Sequence, residues 1–241
     1  MAELQDGATA ARQNTASRLA RLRRSSTYDL VMRLPVLLWS STLAFSSAAA
    51  LQKFAQVADP PLPPVAYWVG VAMRLSVIAF LVILATAVIV RKAPTARARG
   101  VEPRVSALIG TFLITGIVLC PRRELSLPLG IVSTLVSLTG DALAIVILVQ
   151  LRRSFSIMPE ARELVTSGLY RLVRHPLYLA EEIAAIGTAM QFFSIGAVML
   201  LLTHFAFQLR RICHEETVLT AAFPRYAAYA ETTARIIPGF Y

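Results

Sequence analysis

Two short stretches of this chain gather the residue types that do chemistry. In "RLVRHPLYLAEE" (171–182), Arg171, Arg174, His175, Glu181 and Glu182 fall within twelve residues, and "CHEE" (213–216) adds Glu215 and Glu216. A guanidinium offers a planar fork of donors suited to a carboxylate or phosphate. Carboxylates suit an ammonium or a diol, and histidine can move a proton near neutral pH. Taken singly, these residues are ordinary at a membrane boundary, where Arg and His snorkel and glutamates solvate a helix leaving the lipid. Taken together, they make a site only if the fold brings the two stretches side by side.

The elements that would do so are membrane helices. The chain has 241 residues, of which 56% are hydrophobic and 16% charged, and its mean hydropathy is +0.61. Soluble domains carry about 25% charged residues. From Leu34 onward the apolar runs leave no room for a separate globular domain. Two distant cysteines, Cys120 and Cys213, give neither a disulfide framework nor a zinc spacing, and three histidines argue against a two-metal site, so no metal is expected. The net charge of +10 belongs to residues bordering apolar runs, which is orientation chemistry and not nucleic-acid binding. "ASRLARLRRSS" (16–26) reads as a juxtamembrane helix on anionic lipid, and no secretory leader pattern precedes the first apolar run.

Four spans are expected, at about 34–52, 65–90, 105–120 and 128–151, with "DPPLPP" (59–64) breaking the chain after the first. Lysine and arginine number six through Arg33, five in 91–104, five in 152–174 and four from Arg210. Elsewhere there are only Lys53, Arg74, Arg122 and Arg123, so twenty of the 24 lie on one side if both termini are cytoplasmic. Region 176–209 would be about 51 Å long as a single helix, too long for a ~30 Å core and too short for two full spans. A tight hairpin of two shortened helices turning near "FFSIG" (192–196) is expected instead, which makes "RHPLY" and "CHEE" neighbours. The fold class is therefore an all-α polytopic bundle of about six membrane helices. It divides into a basic segment 1–33, a four-helix region 34–151 and a functional region 152–241.

"GLYRLVRHPLYLAEE", followed by "RRICHEETVLTAAFPRYAAYAETTARIIP", resembles the C-terminal half of the isoprenylcysteine carboxyl methyltransferase family, a group that also takes in phospholipid N-methyltransferases. The resemblance covers roughly 152–240 and consists of Arg-His-Pro-x-Tyr, a hairpin, Glu-Glu and a Phe–Tyr–Tyr tail. It implies an S-adenosylmethionine-dependent methyltransferase, similar to protein-S-isoprenylcysteine O-methyltransferases. Arg174, His175, Pro176, Tyr178, Glu215 and Glu216 then bind the cofactor, and Tyr170, Phe223, Tyr226 and Tyr229 support them. Arg174 is the catalytic candidate, steadying the acceptor's polar head. Two positions depart from the pattern: Ala180 and Pro224 stand where glycine is common, and Ala180 is expected to narrow the cofactor groove.

The residue types agree with that implication. Carboxylates suit the cofactor's ammonium and ribose diol, Arg its carboxylate, and aromatic faces its sulfonium. The partners implied are membrane lipids and a lipophilic or prenylated acceptor entering from the bilayer, an isoprenylcysteine-type carboxylate or a related lipid. The implied setting is a bacterial inner membrane with the cofactor on the cytoplasmic side. Two alternatives remain: a sterol-type reductase using NADPH, which shares the Arg-His-Pro-x-Tyr turn, and a non-catalytic membrane scaffold. Arg74 and Asp141, ionisable groups within spans, are expected to pair with each other or to line an acceptor tunnel.

Overall fold

The computed structural model describes residues 30–31, 33–56 and 63–239. The expected juxtamembrane helix and most of the proline-rich break lie outside the described residues. Helix α1 is Leu34–Gln56, α2 Pro64–Val90, α3 Glu102–Phe112, α4 Leu127–Leu151, α5 Pro176–Gln191, α6 Ile195–Ala222 and α7 Tyr226–Thr232. A 3-10 turn, Leu113–Leu119, prolongs α3. Proline sits in the first turn of α2, α3, α4 and α5, where its missing N–H costs nothing.

Among the described residues five helical stretches are long and apolar enough to cross a membrane: Leu34–Gln56, Pro64–Val90, Glu102–Leu119, Leu127–Ser154 and Ile195–Ala222. This is the all-α polytopic bundle expected, and Phe45, Trp68, Leu119 and Ile195 lie exposed on its surface, as suits lipid contact. The hairpin also forms, with α5 of 16 residues joined to α6 through Phe192, Phe193 and Ser194. Ser194 caps α6 by accepting from Ala197 N at 3.2 Å. The hairpin differs from expectation in its second arm. Helix α6 is not shortened: its 28 residues carry "RRICHEE" inside the helix, because the buried face continues through Arg211, Ile212 and Val218. At 1.5 Å per residue α5 is only ~24 Å long, less than a ~30 Å hydrocarbon core.

The bundle has a basic end and an opposite end. At the basic end, strand β1 (Ala96–Arg97) pairs antiparallel with β2 (Glu160–Ala161), joining the two arginine-rich loops. The ion pair Arg97–Glu160 at 3.1 Å ties the same loops, and Arg162 pairs with Glu160 at 2.6 Å within the second of them. At the opposite end Arg123 donates its backbone N–H to Gln191 O at 2.8 Å and Nε to Phe193 O at 3.1 Å, satisfying carbonyls at the hairpin turn. The charge asymmetry and the folded chain therefore agree on which loops share an end.

Helices α4 and α5 form the closest contact, through small residues. A Cβ on Gly140 would stand 2.7 Å from Ala180 O, and one on Gly187 2.8 Å from Ser133 O. Ser133 Oγ donates to Gly187 O at 2.9 Å across the same seam. Ala180 is 1% exposed and packs here, against Gly140. Its carbonyl oxygen faces Gly140, and it is not among the residues that line the cleft described below.

Candidate functional site

The site is assembled where α5 begins. Pro176 opens the helix and His175 stands at its N-cap, while the C-terminal tail runs alongside. Arg174 N donates to Ala234 O at 2.8 Å and His175 N to Arg235 O at 3.1 Å. These main-chain bonds fix the two side chains without using their functional groups. Tyr229, on α7, donates its hydroxyl to Tyr170 O at 2.6 Å and anchors the tail to the loop before α5. Gly168, at φ +62, is the tight point of that loop, since a side chain there would strike Gln150.

Helix α6 returns from the hairpin and sets Glu215 and Glu216 against this loop. Glu216 is a hub: Arg174 Nε lies 3.0 Å and His175 Nε2 3.2 Å from Oε1, and Arg235 Nη2 2.8 Å from Oε2. Glu215 Oε1 accepts from the Tyr178 hydroxyl, and its other oxygen lies 4.0 Å from His175 Nδ1. Arg211, one turn before Glu215, approaches it at 3.6 Å and lies 4.7 Å over the Tyr178 ring. Arg174 Nη1 also donates to Ala230 O at 2.6 Å.

These residues border a cleft at the basic end whose enclosed part is about 100 Å³. Tyr170, Arg174, His175, Tyr178, Glu215, Tyr226 and Tyr229 line it, with Arg162 and Arg211. Burial pushes the Tyr170 hydroxyl well up from its ordinary pKa, and the Glu215 carboxylate adds to the effect. Tyr229 is pushed up to about 12, chiefly by burial, and Tyr226 rises for the same first reason. The aromatic wall is therefore neutral across the physiological range. Among the described residues no group of three or more His, Cys, Asp or Glu is placed to hold a metal ion.

Beside the cleft, between the spans, lies a larger, partly open cavity of about 350 Å³. Its walls are mostly apolar, among them Trp39, Phe80, Leu84 and Ile114, but Asp141, Glu181, His204 and Arg211 also face it. Phe155 and Arg211 line both spaces and form the partition between them.

Residues 132–221 match the model of the isoprenylcysteine carboxyl methyltransferase family. The likeness is confined to that segment. The chain is 37% identical over 81 residues to protein-S-isoprenylcysteine O-methyltransferase A of Arabidopsis thaliana, covering 33% of this chain and 41% of that protein. It is 36% identical over 76 residues to the cobalt-zinc-cadmium resistance protein CzcN of Cupriavidus metallidurans, covering 31% of this chain and 35% of that one. The chain thus spans well under half the length of these relatives. The matched segment contains α5, nearly all of α6 and most of α4, together with the α4–α5 seam and Arg174, His175, Tyr178 and Glu215 of the cleft.

Of the residues singled out from the sequence, Tyr170, Arg174, His175, Tyr178 and Glu215 line the cleft, as do Tyr226 and Tyr229. Pro176 and Glu216 stand behind it, Pro176 starting the helix and Glu216 holding the cationic side chains. Arg74 and Asp141 do not pair. Arg74 lies 4.0 Å over the Phe54 ring, beside Arg122 and Arg123, whereas Asp141 accepts from Ser76 Oγ at 3.1 Å and lines the apolar cavity between the spans. Arg211, Arg162 and Arg235 were not legible as site residues. Arg211 had one signal: it stands four residues before Glu215, on the same helix face.

Proposed function

We propose that this protein is an integral-membrane methyltransferase that takes S-adenosylmethionine at the basic end and methylates a lipophilic acceptor held between the spans. One observation carries this reading: a polar, tyrosine-walled cleft and an apolar cavity meet at a shared partition, Phe155 and Arg211. A charged, soluble donor and a membrane-borne acceptor need two such chambers with one common wall.

The cleft's residues fit the donor. Glu215, one-fifth exposed into it, suits an ammonium or a ribose diol. Arg174 suits a carboxylate, and the neutral tyrosine faces suit a sulfonium and an adenine ring. The enclosed 100 Å³ seats one end of such a molecule, and the remainder extends along the open mouth. When bound, the donor supplies an electrophilic methyl carbon whose bond to sulfur breaks, with its electron pair passing to sulfur, as the acceptor's electron pair bonds the carbon. The protein's own part is to align the partners and keep water from the partition. Arg174 acts from the donor side of the partition, and Arg211 is the cation that reaches the acceptor side. The distribution of Lys and Arg supports a cytoplasmic basic end.

Calorimetric titration of S-adenosylmethionine into the purified protein, with tritiated-methyl transfer to membrane lipid extracts, tests this. Saturable binding with label appearing in the lipid fraction is expected. Absence of binding would return the chain to the scaffold or reductase readings.

A further inference from the structure

The end of the bundle opposite the basic loops carries a third space, an open recess of about 740 Å³ between α1, α2, the start of α4 and the loop before it. Arg74, Arg122 and Arg123 all line it. A chain that keeps twenty of its 24 cations at the basic end thus places three of the other four around one space; Lys53 is the fourth. Arg74 stands about ten residues into α2, roughly 15 Å along the helix from Pro64. Its side chain turns back toward the helix start, with Nη1 donating to Gly70 O at 2.9 Å and the guanidinium 4.0 Å over the Phe54 ring of α1. Gly70 leaves the room for this, since a Cβ there would stand 2.9 Å from Phe54 Cζ and 3.3 Å from Arg74 Nη1. Arg123 is pinned to the hairpin turn by its bonds to Gln191 O at 2.8 Å and Phe193 O at 3.1 Å. Its neighbour Arg122 is close enough for its charge to act on Arg74. Among the described residues none of the three forms an ion pair, and Glu124 lines the same recess without pairing.

Like charges held together repel, and an arginine that far inside a span is costly unless an anion or acceptors answer it. Three guanidinium groups face one carboxylate here, so the recess has an excess of two positive charges. The start of α4 adds to the attraction for an anion: Ser126 lines the recess and caps no N–H of that helix. A Cβ on Gly130 would meet nothing within 4 Å, so the space over that first turn is open. Val69, Leu127 and Ile131 make the adjoining walls apolar. A phosphate monoester carries close to two negative charges near neutral pH and three oxygens that guanidinium forks bind in pairs. A phosphodiester carries one charge and answers only half of the excess. The apolar walls beside the arginines suit the root of a hydrocarbon chain, which a free phosphate lacks.

We infer that this recess binds the phosphomonoester head of a lipid from the leaflet opposite the basic end. Arg74, Arg122 and Arg123 hold the phosphate, and the apolar side chains of α2 and α4 hold the first part of its chain. The inference is independent of the methyl-transfer reading, because none of these residues lines the cleft or the apolar cavity.

The test uses full-length protein in phosphatidylcholine nanodiscs, titrated with radiolabelled short-chain phosphatidic acid and phosphatidylglycerol, with empty nanodiscs as the partition control. Saturable binding of phosphatidic acid, at least tenfold tighter than of phosphatidylglycerol, is expected. Arg122→Gln should weaken it about tenfold or more, the loss of one bond to a charged group, and Gly130→Leu should do so by filling the recess. Without added phosphatidic acid, Arg122→Gln should melt no lower than the unmodified protein, because the change relieves repulsion with Arg74; a merely structural arginine would lower it. Inorganic phosphate, added as a competitor, separates the two sources of the anion and should displace the lipid only at far higher concentration. Equal competition by inorganic phosphate would make this a free-anion site and overturn the lipid assignment. Phosphatidylglycerol binding as tightly as phosphatidic acid, or phosphatidic acid binding untouched in both variants, overturns the inference outright. If either variant fails to fold, the two lipids and inorganic phosphate on the unmodified protein decide alone.

Discussion

Glu216 is the most revealing residue to change, because it touches three cationic or donor side chains and yet does not line the cleft. Its carboxylate holds Arg174 at 3.0 Å, His175 at 3.2 Å and Arg235 at 2.8 Å. The Glu216 and Arg174 side chains are 13% and 12% exposed, and Arg235 is 28% exposed. Removing one partner of a buried pair costs about 3–5 kcal/mol, whereas an exposed pair contributes about 0–1. This partly screened hub lies between those limits, so Glu216→Gln should cost about 2–3 kcal/mol. At ~2–4 °C per kcal/mol that lowers the melting temperature by roughly 4–12 °C. Because Arg174 and His175 do line the cleft, S-adenosylmethionine affinity should fall about tenfold or more as they lose their anchor. Arg235→Leu removes only the outermost spoke and should cost about 1 kcal/mol, with a smaller effect on affinity. Calorimetry and thermal melting on the two variants and their double mutant give the coupling. A Glu216→Gln protein that melts and binds as the unmodified one does, or an Arg235→Leu protein more damaged than it, would refute the hub.

Gly187→Leu drives a side chain into Ser133 and Ser137 of α4, where a bare Cβ already stands 2.8 Å from Ser133 O; a loss of at least about 1–3 kcal/mol is expected, seen as poor recovery of folded protein. In a background with Cys120→Ser and Cys213→Ser, cysteines at Arg99 and Arg225 should be labelled from one side of the membrane and a cysteine at Glu124 from the other. Labelling of Arg225 together with Glu124 would break the hairpin topology. Tyr229, raised from 10.0 to about 12, favours folding fully below pH ~10, and that contribution is lost as pH rises through about 12 because the unfolded chain ionises first. Ultraviolet titration should therefore show a tyrosine component ionising near pH 12 that Tyr229→Phe removes, and alkaline melting should soften over the same range.

What could be read from the amino-acid order is what depends on local composition and on counting. Apolar runs of membrane length gave the spans to within a few residues, because a bilayer of set thickness imposes that length whatever the neighbours are. The lysine and arginine distribution gave the shared ends of the loops, and 34 residues between two basic borders required a hairpin. The charged signature pointed to Arg174, His175 and Glu215, which do converge on one cleft. Tertiary structure alone decided which face each polar group takes. Helix α6 continues to Ala222 because a buried stripe through Arg211 and Ile212 outlasts the apolar run. Arg74 and Asp141 occupy separate cavities because α2 turns one of them toward Phe54 and Arg122, and α4 turns the other inward to Ser76. Glu181 was visible as a charge, but its place on the cavity wall depends on a rotation about α5 that hydropathy does not encode. That rotation is set by the contact of Gly140 and Gly187 across the α4–α5 seam, where the fit of backbone against backbone leaves a single orientation.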